Sequence, residues 1–169
     1  ILISIASRDW LGLPASSILE PYVRLYNLTG EKRYLDFAGY IVDNGGIENG
    51  NLWEDAYLDE KYPYQYKTRK AYEMMSCFEG LLEYYRVTGI EKYKTAAVRF
   101  AKRVIESDIT IIGCAGCEHE LFDHSARTQL DTESGSIMQE TCVTVTWMKF
   151  LFQLLCLTGE SKYADQMEL

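Results

Sequence analysis

The 169-residue chain is 47% apolar with a net charge of −8. That is enough apolar mass for one cored domain, and an acidic balance unsuited to nucleic acid or an anionic membrane, both of which need clustered Lys and Arg. The apolar runs are broken by Tyr, Lys or Glu, so no transmembrane segment is expected, and no basic stretch leading into a long apolar core marks a signal peptide. Ile1-Leu2-Ile3-Ser4-Ile5-Ala6 at one end, and Leu169 inside a helical pattern at the other, lead us to expect that residues 1–169 are part of a single larger domain, truncated at both ends.

In chain order, the apolar spacing predicts a helix over 15–28, opened by Ser16-Ser17 as an N-cap pair, and a second over 31–44. A connection over 45–67 follows, rich in Gly, Asn and Tyr. Helices are then predicted over 68–88 and 90–107, a second long connection over 108–137 with Gly113, Gly116 and Gly135, and helices over 138–157 and from 160 onward. Each first helix of a pair ends in the same way: Leu28-Thr29-Gly30, Val87-Thr88-Gly89 and Leu157-Thr158-Gly159, each with a Tyr four residues beyond the Gly (Tyr34, Tyr93, Tyr163). Glycine at that position tolerates the left-handed backbone that closes a helix, and the acidic residues that follow suit the next N-terminus. The unit is a helical hairpin, and it occurs three times. The second helix of a pair is the more charged on one face (Glu91, Lys92, Lys94, Arg99, Lys102, Arg103), as an outer layer requires.

The fold class expected is all-α, an (α/α)6 toroid of which this chain supplies about three hairpins. A half ring exposes the side of its inner layer, so the rest of the barrel or an oligomer partner is expected to cover the open edge. The alternative is a short helical solenoid that binds a protein, although solenoid repeats seldom carry two long, chemically rich insertions.

The Thr-Gly turns close one end of such a ring, leaving the inner-helix N-termini and both connections at the other. Lys70 lies 19 residues before Gly89 and Glu140 lies 19 before Gly159, so both belong to that rim. The positive helix ends there favour anions and lower thiol pKa values. Cys142, two residues after Glu140, makes with it a pair able to ligate one zinc ion if two more ligands are supplied; Glu140 also reads as an ordinary first-turn acid. Of the other cysteines, Cys77 and Cys156 fall in apolar helical patterns and read as core. Cys114 and Cys117, with His119 and His124, make a possible zinc half-site that lacks a second C-x-x-C. Glu118 and Glu120 sit beside Phe122 in the same loop, and a loop carboxyl group that is half-buried can act as a general acid. The 13 Tyr and 3 Trp, dense from Trp53 to Tyr66, suit the C–H faces of sugars or, more plainly, helix interfaces.

Arg8-Asp9-Trp10 with Ala15-Ser16-Ser17-Ile18-Leu19-Glu20-Pro21, Lys70-Ala71-Tyr72-Glu73-Met74-Met75-Ser76, and Gln139-Glu140-Thr141-Cys142 with Trp147 follow one another here as they do in one known group. The chain resembles the β-L-arabinofuranosidase-type glycoside hydrolases, family 127 and relatives, over nearly its whole length. The resemblance implies a retaining enzyme acting on a carbohydrate substrate such as an L-arabinofuranoside of plant polysaccharide, through a thioglycosyl intermediate and a zinc ion (Zn2+) held by one Glu and three Cys. It implies Glu140 and Cys142 as the first two metal ligands, with the remaining cysteines downstream of this chain, one of them the nucleophile. It implies Glu120 as acid/base, with Glu118 next in line, and substrate contacts at Lys70, Tyr72 and His119. Many relatives carry a His where Lys70 stands, which puts the sugar contacts there in question, and Cys114 and Cys117 fall outside the family motif. Two other functions remain open at this point: a non-catalytic helical module for a glycan or protein, and an epimerase or lyase using His119 or His124 as proton carriers.

Overall fold

The computed structural model describes residues 9–133 and 139–169. Among these the regular structure is helical: α1 (Leu13–Ser16), α2 (Leu19–Thr29), α3 (Lys32–Asp43), α4 (Leu52–Leu58), α5 (Ala71–Thr88), α6 (Glu91–Ser107), α7 (Ser125–Thr128), α8 (Thr141–Thr158) and α9 (Lys162–Met167), with 3-10 turns at Asp9–Gly12 and Pro63–Gln65. The three hairpins are α2–α3, α5–α6 and α8–α9. Helix α5 packs between α2 and α8, while α3, α6 and α9 back their own partners, giving the inner and outer layers that the repeat predicts. α5 is buried nearly all round, from Ala71 through Met74, Met75, Cys77 and Phe78 to Leu82, as a helix flanked on several sides must be. α6 buries one stripe (Ala96, Ala97, Phe100, Ala101, Val104), and its charged side bonds α4 and the residue after it through Lys92–Glu54, Arg99–Tyr57 O and Arg103–Asp59.

The hairpin turns are alike in detail. Gly30, Gly89 and Gly159 take φ of 70°, 68° and 70°, and their amides bond Tyr26 O, Tyr85 O and Leu155 O. Each Thr hydroxyl donates to the carbonyl four residues back at 2.7–2.8 Å and accepts the amide two residues on, in Glu31, Ile90 and Glu160. Threonine therefore bridges the end of one helix to the start of the next, which explains its presence in all three copies.

Some boundaries differ from expectation. The first inner helix is broken: Ser16 ends α1, Ser17 Oγ donates to Pro14 O at 2.7 Å, and Ile18 occupies the N-cap of α2 without a side-chain cap. The serine pair thus closes one helix rather than opening the next. The second and third inner helices begin at Ala71 and Thr141, three residues later than expected, because Lys70 and Glu140 adopt extended N-cap backbone. Cys77 is buried as expected, but Cys156 is exposed. By length and apolarity alone α8 is long enough to cross a membrane. Its apolar residues Val143, Trp147, Phe150, Leu151 and Leu154 are buried against the rest of the chain, which identifies it as an inner-layer helix. Val145, Met148 and Phe152 form an uncovered stripe on its other side.

The core is an aromatic cluster. Phe78 of α5 stacks on Phe100 of α6 (centroids 3.9 Å, planes 14° apart), with Phe150 of α8, Trp53 of α4 and Phe122 of the second connection gathered round them at 5.5–6.3 Å. On the opposite side of the inner layer runs a polar seam. Glu20, Glu79 and Lys149 each stand ten residues before their turn glycine, and Arg24, Glu83 and Gln153 each stand six before it. Lys149 pairs with Glu79 at 3.0 Å, Gln153 donates to Glu20 at 3.2 Å, and Arg24 pairs with Glu20 at 2.8 Å. The seam thus ties α2, α5 and α8 together along the face turned away from the outer helices.

Two predictions follow from this packing. A Cβ on Gly80 would lie 2.6 Å from Leu19 Cβ and 2.7 Å from the Glu20 amide, so Gly80→Ala forces α2 and α5 apart and lowers unfolding free energy by about 1–3 kcal/mol. At Gly89, where the space is open, Ala costs only its left-handed backbone, roughly 1 kcal/mol; equal urea midpoints for the two variants would show that the helices do not meet at Gly80. Burial, opposed by Lys149 and assisted by Glu20, pushes Glu79 up to about 7. A raised carboxyl pKa favours the folded state at low pH and that advantage is lost as pH rises from the unfolded value of 4.5. The melting temperature of wild type should therefore fall relative to Glu79→Gln between about pH 4.5 and 7, and a constant difference would contradict the shift.

Candidate active site

The second connection leaves α6 at Asp108 and returns to the N-terminus of α5. Its residues 120–122 pair with 69–71: Ala71 N donates to Glu120 O and Phe122 N to Arg69 O, both at 2.8 Å. The Glu120 carbonyl thereby satisfies one of the amides that a helix start leaves without an intrahelical partner. Phe122 is fully buried in the aromatic core, not beside the carboxylates as expected. That insertion fixes the loop from beneath while Glu120, with a side chain 33% exposed, reaches the rim.

There Lys70 Nζ lies 2.9 Å from Glu120 Oε1 and 2.9 Å from Glu73 Oε1. Burial pulls the Lys70 pKa down, but its bonds to Glu120 and Glu73 outweigh that and leave it above the ordinary lysine value. Trp10 places its ring 5.8 Å from the same ammonium. To do so, Trp10 and Leu11 both adopt left-handed backbone (φ 50° and 53°), roughly 1–2 kcal/mol each for residues that have a Cβ. Trp10 and Tyr72, 40% and 41% exposed, are the aromatic faces open near this rim. The dense aromatic patch has gone into packing instead: Trp53 is buried edge-on to Phe78, Tyr66 is buried, and Tyr62, Tyr64 and His124 stack in series.

At the equivalent rim position of the third hairpin, Cys142 Sγ donates to Glu140 Oε2 at 3.4 Å. Partial burial first, then the Glu140 carboxylate, raise the Cys142 pKa, and the charge of Glu120 adds to the effect. Local carboxylates thus overcome the helix-end dipole, which was expected to lower it. The second connection touches the start of α8 through Cys114, whose Sγ accepts from Thr144 Oγ1.

Among the described residues no three His, Cys, Asp or Glu side chains converge on one metal position. Glu140 and Cys142 have the donor chemistry for half of a tetrahedral zinc site. Cys114 and Cys117 are differently employed. Both are buried; Cys114 Sγ accepts from Thr144 Oγ1 at 3.0 Å, and Cys117 Sγ donates to Asp123 Oδ2 at 3.2 Å. His119 is exposed and His124 stacks on Tyr64 at 4.4 Å. Both take left-handed backbone (φ 55° and 62°), a turn role that His fills more readily than most residues. Glu118 is half-buried and shares a tight turn with Leu121. Residues 1–8, with Arg8 of the first motif, and 134–138 lie outside the described residues. The sequence reading gave no role to Glu73, Asp108 or Asp123. Glu73 had a local signal, three residues from Lys70 on a helix; the aspartates are joined to their partners only by the fold.

The chain is thus a helical double layer with carboxylates, a thiol and open aromatics at one end of its inner helices. Residues 13–169 match the β-L-arabinofuranosidase GH127 catalytic domain, and the chain belongs to glycoside hydrolase family 127. It is 28% identical over 168 residues to a non-reducing end β-L-arabinofuranosidase of Bifidobacterium longum subsp. longum, covering 86% of this chain and 25% of that protein. A solved family 127 β-arabinofuranosidase superposes with TM-score 0.67 at 23% identity, covering 89% of this chain and 23% of the other. A family 127 β-L-arabinofuranosidase from Geobacillus stearothermophilus T6 gives 0.64 at 22%, covering 89% and 26%. The chain spans about a quarter of the length of these relatives.

The burial pattern of the loop predicts a separation of roles. Phe122→Ala should lower unfolding free energy by about 3–5 kcal/mol, whereas Glu120→Gln, which loses a part-exposed ion pair, should cost under about 1 kcal/mol. Denaturant unfolding of both variants checks this, and comparable losses would mean that Glu120 is structural.

Proposed function

We propose that this chain forms three hairpins of an (α/α)6 catalytic barrel in a retaining glycoside hydrolase acting on L-arabinofuranosides or a related plant-polysaccharide sugar. The observation that supports the reading is the pairing of Glu120 with Lys70 at the start of α5, on a connection whose Cys114 also bonds Thr144 in the first turn of α8, the helix that opens with Glu140 and Cys142. Glu120 stands where an acid/base is needed: part-exposed, on a loop held by backbone pairing and by Phe122, with its carboxylate oriented by Lys70. In this role it protonates the departing glycosidic oxygen and then takes a proton from the attacking water. Trp10 and Tyr72 offer apolar faces to the sugar ring, and Lys70 and His119 offer donors to its hydroxyls. Glu140 and Cys142 would hold zinc, with further ligands and the nucleophile supplied by sequence beyond this chain; such an ion activates thiolates as nucleophiles and reverses the upward pull on Cys142. The exposed stripe Val145, Met148 and Phe152 on α8 is the surface that a following inner helix would cover.

The test uses the protein with its complete barrel, an aryl β-L-arabinofuranoside and metal analysis. Glu120→Gln should lower kcat by about 10²–10⁴-fold, and Cys142→Ser should purify without zinc. Wild-type turnover in Glu120→Gln, or undiminished zinc in Cys142→Ser, would end this assignment.

A further inference from the structure

We infer that Asp108 is a positioning residue for Glu120, holding the returning end of the acid/base loop on its carboxylate. Asp108 lies at the C-terminal end of α6, fully buried. Its Oδ1 accepts three consecutive backbone amides, from Asp123, His124 and Ser125, at 3.0, 2.8 and 3.3 Å. Its Oδ2 accepts Ser107 Oγ at 2.5 Å, and its own carbonyl accepts Gly116 N at 2.9 Å. The residue at which the loop departs therefore also grips the loop's return, fifteen to seventeen positions later.

The grip is relayed inward. Asp123 accepts Cys117 N at 3.3 Å, the Cys117 thiol at 3.2 Å, and the Ser125 hydroxyl, so the two aspartates share the segment between them. Gly116 (φ 94°) passes so close beneath the strap that a Cβ would sit 2.6 Å from Leu121 O. Glu120 lies on the closed part of this strap, three residues from Asp123, a reach of about 10 Å at most. A buried carboxylate with three amides on one oxygen is costly to leave unsatisfied on either side, so the closed loop is the strongly preferred state. Asp108 is fully buried, with its carboxylate spent on backbone amides and on Ser107. Asp108 acts through the place it gives Glu120.

This inference rests on the acid/base reading of Glu120. The complete-barrel protein is assayed on two substrates: a 2,4-dinitrophenyl β-L-arabinofuranoside, whose leaving group needs no proton, and the methyl glycoside, whose leaving group does. Displacing a catalytic group by about an ångström costs on the order of 10²-fold. Asp108→Ala should thus lose about 10²-fold in kcat/KM on the methyl glycoside and under about 10-fold on the dinitrophenyl one. Asp108→Asn, whose Oδ1 still accepts the amides, should stay near wild type on both. Asp108→Glu, which keeps the acceptors but pushes them out by a methylene, should show the selective loss and serves where Asp108→Ala does not fold. Equal losses on the two substrates, or none, overturn the inference if Glu120→Gln run beside them loses the methyl glycoside selectively. Should Glu120→Gln treat both substrates as wild type does, the acid/base reading fails and the positioning role falls with it.

Discussion

The stack of Phe78 on Phe100 is the contact on which the rest of the molecule depends. It joins an inner helix to an outer one at the centre of the middle hairpin, and the neighbouring elements reach it through a single large side chain each. Phe150 brings in α8, Trp53 brings in α4, and Phe122 brings in the loop that carries Glu120. Aromatic groups bury a large area for few rotatable bonds, so one ring suffices to pin a connection that has little secondary structure of its own. The candidate site is therefore held from below by the same core that holds the helices together.

The inner layer solves a different problem on its other face. A ring of helices has a centre, and side chains pointing there cannot all be apolar unless the centre is packed shut. Here the positions ten and six residues before each turn glycine carry Glu20, Glu79 and Lys149, then Arg24, Glu83 and Gln153, with Arg24–Glu83, Lys149–Glu79 and Gln153–Glu20 bonding helix to helix. Pairing with the part-exposed Arg24 and Lys149 makes the burial of the Glu20, Glu79 and Glu83 carboxylates tolerable. Glu79 keeps one oxygen without a partner, consistent with its strong preference for the protonated form.

Chemistry collects at the rim because helix starts, two long connections and strained backbone meet there. Left-handed conformation at Trp10, Leu11, His119 and His124 is costly and survives only where surrounding contacts fix it. Lys70 pulls Glu73 and Glu120 into one ion-paired group. An ammonium on a flexible stem reaches two carboxylates at once, and its charge persists at any physiological pH, unlike that of an imidazole.

The sequence by itself determined the hairpins, their order and the rim. Thr-Gly turns and helical periodicity are local, and equal spacing back from each glycine put Lys70 and Glu140 at matching helix starts. It misjudged Ser16-Ser17, since a serine can close one helix as readily as open another and only the break at Ile18 decides. It also treated Cys114, Cys117 and the two histidines as chemical candidates, because residue type says nothing of whether a thiol is already bonded inward or an imidazole sits at a turn. Tertiary structure alone decided the partners of Lys70, the insertion of Phe122 and the grip of Asp108 on amides fifteen residues away. Those contacts join segments far apart in the chain, so no local pattern encodes them; they exist only once the core has fixed where the loop must lie.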